Sequence, residues 1–235
     1  MALALGFLAG LWTTVAGLGG GMMLLFALAA WWSDPVAALA VTAPALLVGN
    51  LHRLTLFRSE IDLQIGLPIV LGAFPGAVLG GLLAVAIPIW ILQVAMVAVA
   101  ILALARVAGL FAWRPGRGAL VPAGAGIGII GATTGGAGVL VGPLLLSSGL
   151  KGVPYVATAA LFGVSMHAGR LLAYGAGGWV DPAVLALGLG IAIAIVLGNA
   201  TGKRVRTWIP EGWQTRIEVG TAVSLIGLAV VGASA

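Results

Sequence analysis

The chain of 235 residues is 61% hydrophobic and carries only 11 Lys or Arg and 6 Asp or Glu side chains. Soluble domains carry about 25% charged residues, whereas 7% are charged here, so a water-soluble globule is excluded and a polytopic membrane protein is predicted. The formal net charge of +5 comes from short segments between apolar blocks, which indicates membrane orientation rather than a nucleic-acid partner. The absence of cysteine excludes disulfides and thiolate metal sites.

Polar residues and interruptions by proline or glycine divide the chain into eight apolar blocks. A transmembrane helix needs about 20 apolar residues, and six of the blocks suit one helix each. The other two, 1–32 and 119–148, are too long, and a glycine cluster interrupts each at its middle, at 17–21 and 134–138. Interior glycine costs about 0.5–1 kcal/mol relative to alanine, so each long block is predicted to form two half-helices. The six single-helix blocks are 35–51, 63–87, 89–112, 153–174, 180–200 and 217–231.

The two halves of the chain repeat each other's landmarks at a nearly constant spacing. A period of this length indicates two copies of one membrane unit. We therefore predict a first repeat at 1–113, a linker at 114–118 and a second repeat at 119–235. The matching positions are Gly21 and Gly138 (117 apart), Arg53 and Arg170 (117 apart), Asp62 and Asp181 (119 apart), and Pro88 and Pro210 (122 apart).

Basic residues between the blocks indicate how the repeats sit in the membrane. If all eight blocks crossed, these residues would divide four against five between the two faces. If the two long blocks instead enter and return on one side, all nine fall on one face and Asp34 and Asp181 on the other, as the positive-inside rule predicts. The nine residues are Arg53, Arg58, Arg114, Arg117, Lys151, Lys203, Arg204, Arg206 and Arg216.

This arrangement defines the predicted fold class. It is an all-α polytopic membrane protein with two inverted repeats, each a re-entrant helical hairpin plus three transmembrane helices. Eight full crossings are the alternative. The basic loops are predicted to be cytoplasmic, and both termini periplasmic or external, in the cytoplasmic (inner) membrane.

The glycine clusters are the first candidate site. The N-terminus of each second half-helix has unpaired N–H groups and a partial positive charge, which suit an anion near the bilayer midplane. Close helix packing by small residues is the alternative explanation, and we favour the site. Nearby threonine hydroxyls can donate to an oxyanion, or instead bond their own backbone. The predicted binding residues here are Gly19, Gly20, Gly21, Gly135, Gly136, Gly138, Thr13, Thr14, Thr133 and Thr134.

Three polar residues of the other helices complete the predicted site. Asn50 corresponds in the repeat to His167, which lies deep within its block, and an ionisable residue at such depth indicates function. A neutral histidine bonded between helices is the equal alternative. Arg170 offers a five-donor fork suited to sulfonate or carboxylate, although it could extend to the membrane surface. For Arg53, extension to the surface is the preferred prediction.

Missing residue types narrow the chemistry. No Asp or Glu lies within a confident crossing, which argues against a carboxylate proton relay or metal cage. No GxSxG, HExxH or P-loop pattern occurs, so no enzyme activity, cofactor or metal is predicted. The expected partners are a small anionic substrate and membrane lipids, with transport coupled to a proton or another ion. His167 is the candidate for a pH dependence near neutrality.

Several short motifs together resemble the sulfite exporter TauE/SafE family, also called the 4-toluene sulfonate uptake permease family. The resemblance spans nearly the whole chain and implies transport of small organosulfur or related anions, such as sulfite, sulfoacetate or small carboxylates, across the cytoplasmic membrane. The motifs are the two glycine clusters, the basic loop ending in Glu60-Ile-Asp62, Val141-Gly-Pro143, Ala157-Thr158 and Gly178-Trp-Val-Asp181.

The sequence therefore predicts a secondary transporter of small anions. An anion channel that uses the same glycine clusters is the first alternative. A membrane-embedded lipid phosphatase is the second, although the chain lacks the acidic residues that such chemistry needs. The exact substrate, the direction of transport, the coupling ion and the oligomeric state, with a homodimer among the options, stay open.

Overall fold

The computed structural model describes residues 1–88, 90–91, 94, 116–210, 212–213, 216–217 and 220. The predicted helices at 89–112 and 217–231, and Arg114, therefore lie wholly or mostly outside the described residues. Elsewhere the described chain is helical and contains no strand, as predicted. Its helices are α1 (Ala2–Ala16), α2 (Gly20–Trp32), α3 (Pro35–Leu56), α4 (Leu63–Ala86), α5 (Leu120–Thr134), α6 (Ala137–Ser147), α7 (Gly152–Ala176) and α8 (Pro182–Thr207).

Four of these helices, α3, α4, α7 and α8, are long and apolar enough to cross a membrane. All three aspartates of the chain form helix N-caps rather than lying inside these spans. Asp34, Asp62 and Asp181 each accept a hydrogen bond from the backbone N–H three residues later, at 2.9, 3.0 and 2.7 Å. Pro35 and Pro182 follow two of the caps at the first helical position, where proline is favoured. The membrane-length helices thus contain no acidic residue, as predicted.

Both overlong blocks form helical hairpins. The start of α2 folds back onto the middle of α1, because a Cβ built on Gly20 would lie 2.8 Å from the carbonyl carbon of Ala9. In the second half, Gly131 of α5 packs against Ala137 at the start of α6. At about 1.5 Å rise per residue, none of these half-helices of 11 to 15 residues spans a hydrocarbon core of about 30 Å.

Helix directions exclude eight full crossings. Successive contacts show that α1 runs parallel to α8, with Gly6 against Ile191 and Gly10 against Ile195. The contact of Gly49 with the same Ile195, together with the packing of Gly188 against Pro44 and Val41, shows that α3 also runs parallel to α8. If α1 and α2 formed one straight crossing, α1 and α3 would run in opposite directions. The alternative topology is therefore wrong, and the hairpin prediction is confirmed.

The two halves of the chain contain equivalent helices that run in opposite directions. Helices α5 to α8 begin 118, 117, 117 and 119 residues after α1 to α4. Helix α4 runs parallel to α5 and α7, whereas α3 and α7 are antiparallel, with Gly163 against Asn50 and Arg170 bonded to Leu39. Each of α1, α3 and α8 therefore points opposite to α4, α5 and α7. This is the relation that an inverted repeat requires; the repeat boundaries at 1–113 and 119–235 stay a prediction.

Basic side chains gather at one end of the bundle. We call this the basic end; it holds Arg58, Lys151 and Lys203, and Lys203 Nζ donates to the Leu56 carbonyl at 3.1 Å. The opposite, acidic end holds Asp34 and Asp181. The prediction that all the basic residues lie in loops between the blocks is wrong for four of them. Helices α3 and α8 continue five and seven residues past the predicted blocks and include these four residues. These residues are Arg53, Lys203, Arg204 and Arg206.

Prediction for packing. Glycine allows α4 and α5 to approach closely, since a Cβ on Gly128 would lie 2.9 Å from the backbone nitrogen of Ala77. Gly128→Leu should therefore destabilise the folded protein by about 1–3 kcal/mol, the usual cost of overpacking. Gly126, on the same helix, has nothing within 4 Å of its Cβ position, so Gly126→Leu is the matched control. Thermal stability in detergent measures both variants, and equal melting temperatures would contradict the packing.

Candidate functional site

Glycines at left-handed backbone angles end the first half-helix of each hairpin. Gly17 closes α1 with φ of 83°, and Gly135 closes α5 with φ of 72°. Gly19, with φ of 102°, precedes α2. Such angles disfavour side chains with a Cβ, which explains the glycine clusters at these positions. Neither α2 nor α6 has a side-chain cap at its N-terminus, so the first N–H groups of both helices remain available to a ligand.

Both hairpin tips line one cavity between α3 and α7. Its volume is about 70 Å³, well below the roughly 300–1,000 Å³ of drug-sized ligand sites, so it suits only a small ligand. Polar and backbone groups come from the tips and from α3 and α7, and the remaining wall is apolar. The lining residues are Thr13, Leu18, Gly19, Gly21, Met22, Leu46, Asn50, Arg53, Gly135, Ala137, Gly138, Val141, Ala159, Phe162, Gly163, Met166 and His167.

The guanidinium of Arg53 is buried beside the first tip. Only 2% of this residue is exposed. Its Nη1 donates to the carbonyl oxygens of Thr13 at 3.0 Å and Gly17 at 3.1 Å, and its Nη2 donates to Asn50 Oδ1 at 2.7 Å. Its Nε has no hydrogen-bond partner in the described part of the chain. The prediction that Arg53 extends to the membrane surface is therefore wrong, because the free carbonyls at the break bind its guanidinium inside the bundle.

The second half contains an equivalent pair at the same spacing. Arg170 Nη1 lies 3.2 Å from His167 Nδ1, just as Arg53 contacts Asn50 three residues earlier. A guanidinium can only donate, so Nδ1 accepts and the imidazole hydrogen resides on Nε2. Asn50 and His167 both line the cavity. Arg170 does not line it, since its Nη2 donates to the Leu39 carbonyl of α3 at 3.0 Å.

The electrostatic environment of the cavity is positive. Arg53 and Arg170 are among the buried polar residues, and no Asp or Glu is buried in the described ranges. The described acidic residues lie at helix ends and in the turn around Glu60. The two helix N-termini add partial positive charge. The site is therefore suited to a negatively charged ligand.

The structure brings about half of the predicted site residues to the cavity. Seven of them line it: Thr13, Gly19, Gly21, Gly135, Gly138, Asn50 and His167. Gly20 and Gly136 belong to the breaks but are absent from the lining, and Thr14, Thr133, Thr134 and Arg170 contact other parts of the protein.

Threonines of the site mainly serve the backbone and helix packing. Thr13 Oγ1 donates to the Ala9 carbonyl at 2.6 Å, and Thr133 and Thr134 donate to carbonyls of their own helix. Thr134 Oγ1 also accepts from the Gly136 N–H at 3.1 Å. Thr14 faces α8, where its hydroxyl donates to Asn199 Oδ1 at 2.9 Å. Of the four, only Thr13 reaches the cavity.

Sequence reasoning missed the main cation and the apolar wall of the cavity. The 117-residue match to Arg170 and the i, i+3 spacing from Asn50 were the signals that could have identified Arg53. No motif identified Met22, Leu46 or Phe162, because apolar residues occur on every side of these helices. In the described residues, no cluster of three or more His, Asp or Glu could hold a metal ion.

Four membrane-length helices and two hairpins that line one cavity are the features of a polytopic membrane protein. The sequence model of the family described as Sulfite exporter TauE/SafE matches residues 2–230, and the chain belongs to this family. The family consists of membrane transporters of sulfur anions, not enzymes. No curated protein and no solved structure matches the chain significantly. The resemblance of its motifs to this family is thus confirmed.

Prediction for the cavity. The chain has no cysteine, so single cysteines report accessibility without further changes. Gly138→Cys should react with a small water-soluble thiol reagent, because the Cβ position at Gly138 faces the cavity and meets only Met22 Sδ, at 3.6 Å. Ala132→Cys, at a position with 0% exposure, is the matched buried control. Equal labelling rates, measured by mass spectrometry of native protein in detergent, would contradict the cavity.

Proposed function

We propose that this chain is a secondary transporter of small anions and that it binds them in the cavity between the two hairpin tips. The substrate class is sulfite, organosulfonates or related small organic acids. The observation that carries the proposal is Arg53, a buried guanidinium with an unpartnered Nε at a cavity that has no acidic side chain in its lining. An anion supplies the charge that this site otherwise lacks.

The buried positive charge of Arg53 needs a partner of opposite charge, which a bound anion would supply. A charge that leaves water without a partner of opposite sign costs several kcal/mol or more. The carbonyls of Thr13 and Gly17 and the amide of Asn50 offset part of this cost as dipoles, but none carries a full negative charge. A bound oxyanion would interact with the guanidinium and with the N-termini of α2 and α6 at once.

The donor set favours a ligand that only accepts hydrogen bonds. Arg53 Nε, the N–H groups of the tips and the Nε2 hydrogen of His167 are all donors, as a sulfonate, sulfite or carboxylate requires. A zwitterion such as taurine also needs a negative partner for its ammonium group, and the lining has no carboxylate. The apolar residues Met22, Leu46 and Phe162 suit a short organic substituent.

Helix directions favour a carrier over a channel. Equivalent helices that run oppositely are the basis of alternating access around a central site in secondary transporters. The inverted repeat, the cytoplasmic location of the basic end and the inner-membrane location are parts of this proposal. The positive-inside rule supports the orientation. Coupling to a proton or another ion, with His167 as a candidate, also stays a prediction.

Prediction for a blocked site. Gly138→Val should abolish anion transport while it leaves folding intact, because the Cβ position has only Met22 Sδ near it and the side chain would occupy ligand space. Gly190→Val is the matched control, since Gly190 in α8 has nothing within 4 Å of its Cβ position. Sulfite, sulfoacetate and lactate uptake into proteoliposomes measures the effect. Normal uptake by Gly138→Val would refute the site.

Prediction for the cation. Arg53→Gln should weaken binding of the transported anion by about tenfold or more, because a charge-assisted hydrogen bond contributes about 1.5–3 kcal/mol. Arg53→Lys should retain part of the affinity but lose the fork geometry. Arg58→Gln, at an exposed residue of the basic end, is the control. Isothermal titration with sulfite, sulfoacetate and taurine in detergent measures affinity. Unchanged affinity in Arg53→Gln, or tight binding of taurine, would contradict the proposal.

A further inference from the structure

Arg170 is buried without a role in the cavity described above. It is 1% exposed, and its Nε has no hydrogen-bond partner in the part of the chain that the structure describes. Its other contacts are His167 Nδ1 at 3.2 Å, the Leu39 carbonyl at 3.0 Å, the Thr42 hydroxyl at a long 3.5 Å and the ring of Tyr174. None of these groups carries a negative charge. A second buried cation therefore lacks a partner of opposite charge.

The two arginines occupy equivalent positions but use different partners. Arg53 and Arg170 are 117 residues apart, and each contacts the residue three positions earlier, Asn50 at 2.7 Å and His167 at 3.2 Å. Beyond that pair the equivalence ends. Arg53 binds the carbonyls at the tip of its own half, whereas Arg170 reaches across to α3 in the other half. Only Arg53 therefore lines the cavity.

Depth in the bundle separates the two guanidiniums. Arg53 lies three residues before the end of α3 at the basic end. Arg170 lies 18 residues after the start of α7 at that same end, or about 27 Å along the helix at about 1.5 Å per residue. The cavity includes residues 159–167 of α7 and stops short of Arg170. On α3 the lining residues Leu46, Asn50 and Arg53 lie in the half of the helix nearer the basic end. Arg170 therefore lies on the acidic side of the cavity.

An inverted repeat allows a second conformation of the same chain, in which each half adopts the conformation of the other. Because equivalent helices run in opposite directions, a structure in which each half adopts the other's conformation has its cavity nearer the acidic end. His167 and Arg170 then take the positions of Asn50 and Arg53. The carbonyls of Gly131 and Gly135, which correspond to those of Thr13 and Gly17 118 residues earlier, become available to Arg170.

We propose that Arg170 replaces Arg53 as the guanidinium that faces the bound anion when the site opens to the acidic end. The inference rests on the proposed transport function. In the present conformation Arg170 is held against the Leu39 carbonyl, away from the ligand. Each half of the protein thus supplies one cation, and the two cations serve the same substrate in alternate states.

The test measures two quantities separately, the affinity for sulfite and the rate of sulfite exchange across proteoliposomes. Arg170→Gln should bind sulfite with an affinity within about twofold of the parent protein, since Arg170 does not line the cavity, yet exchange across proteoliposomes should fall about tenfold or more, by the strength of a charged hydrogen bond. Arg53→Gln should lose affinity directly. Arg58→Gln, with its exposed side chain, should change neither quantity.

Each outcome has a distinct meaning. Normal exchange by Arg170→Gln would overturn the inference. A parallel loss of sulfite affinity and melting temperature in Arg170→Gln would also overturn it, because a merely structural arginine lowers both together. If the Arg170→Gln protein exchanges sulfite at the normal rate while the Arg53→Gln protein still loses affinity, the proposed binding site is supported. In that case only the alternating role of Arg170 is wrong. If neither Arg53→Gln nor Arg170→Gln changes the affinity for sulfite or its exchange, the proposed function itself is wrong.

Discussion

The contact of Arg53 with the broken end of α1 is the interaction on which the rest of the site depends. A helix that stops at membrane depth leaves carbonyls that lipid cannot satisfy. The guanidinium of Arg53 satisfies two of them, at Thr13 and Gly17, and Arg206 donates to a third, at Val15. The break can therefore exist inside the bundle, and the arginine that stabilises it brings a positive charge to the cavity wall.

Close packing at glycines fixes the position of the Arg53 guanidinium relative to the α5–α6 hairpin. Glycines on α4, α5 and α8 allow backbones to contact each other directly, as in the packing of Gly72 on Val121 and of Gly198 on Phe7. These contacts fix α1 beside α8 and α5 beside α4, so the two hairpins enter from opposite ends. Both tips then reach one cavity, although they are far apart in sequence, and their N-termini add to the field of Arg53.

Sequence reasoning could predict the breaks but not the rotation of the helices. Block length and the glycine clusters located both hairpins, and the predicted blocks at 35–51 and 63–87 begin at the first residues of α3 and α4. The surface that each helix turns inward was harder to predict, since apolar residues occur on all its sides. Adjacent residues point about 100° apart, and so Thr13 lines the cavity whereas Thr14 faces Asn199. The wrong prediction for Arg53 has another cause, because the predicted block ended at Leu51 whereas α3 continues to Leu56.

The difference between the two halves carries as much information as their similarity. A perfectly symmetric bundle would present the same groups to both ends and would have no preferred conformation. Here the first tip is bound by two arginines, whereas a hydroxyl, that of Tyr174, donates to the Ala132 carbonyl of α5 at 2.5 Å. The side-chain donors that the structure describes at the second tip are neutral hydroxyls, which bind a carbonyl less strongly than the two guanidiniums at the first tip do. If the site alternates as proposed, we therefore expect the α5–α6 hairpin to be displaced more readily than the α1–α2 hairpin, and its displacement would expose the carbonyls that Arg170 would bind.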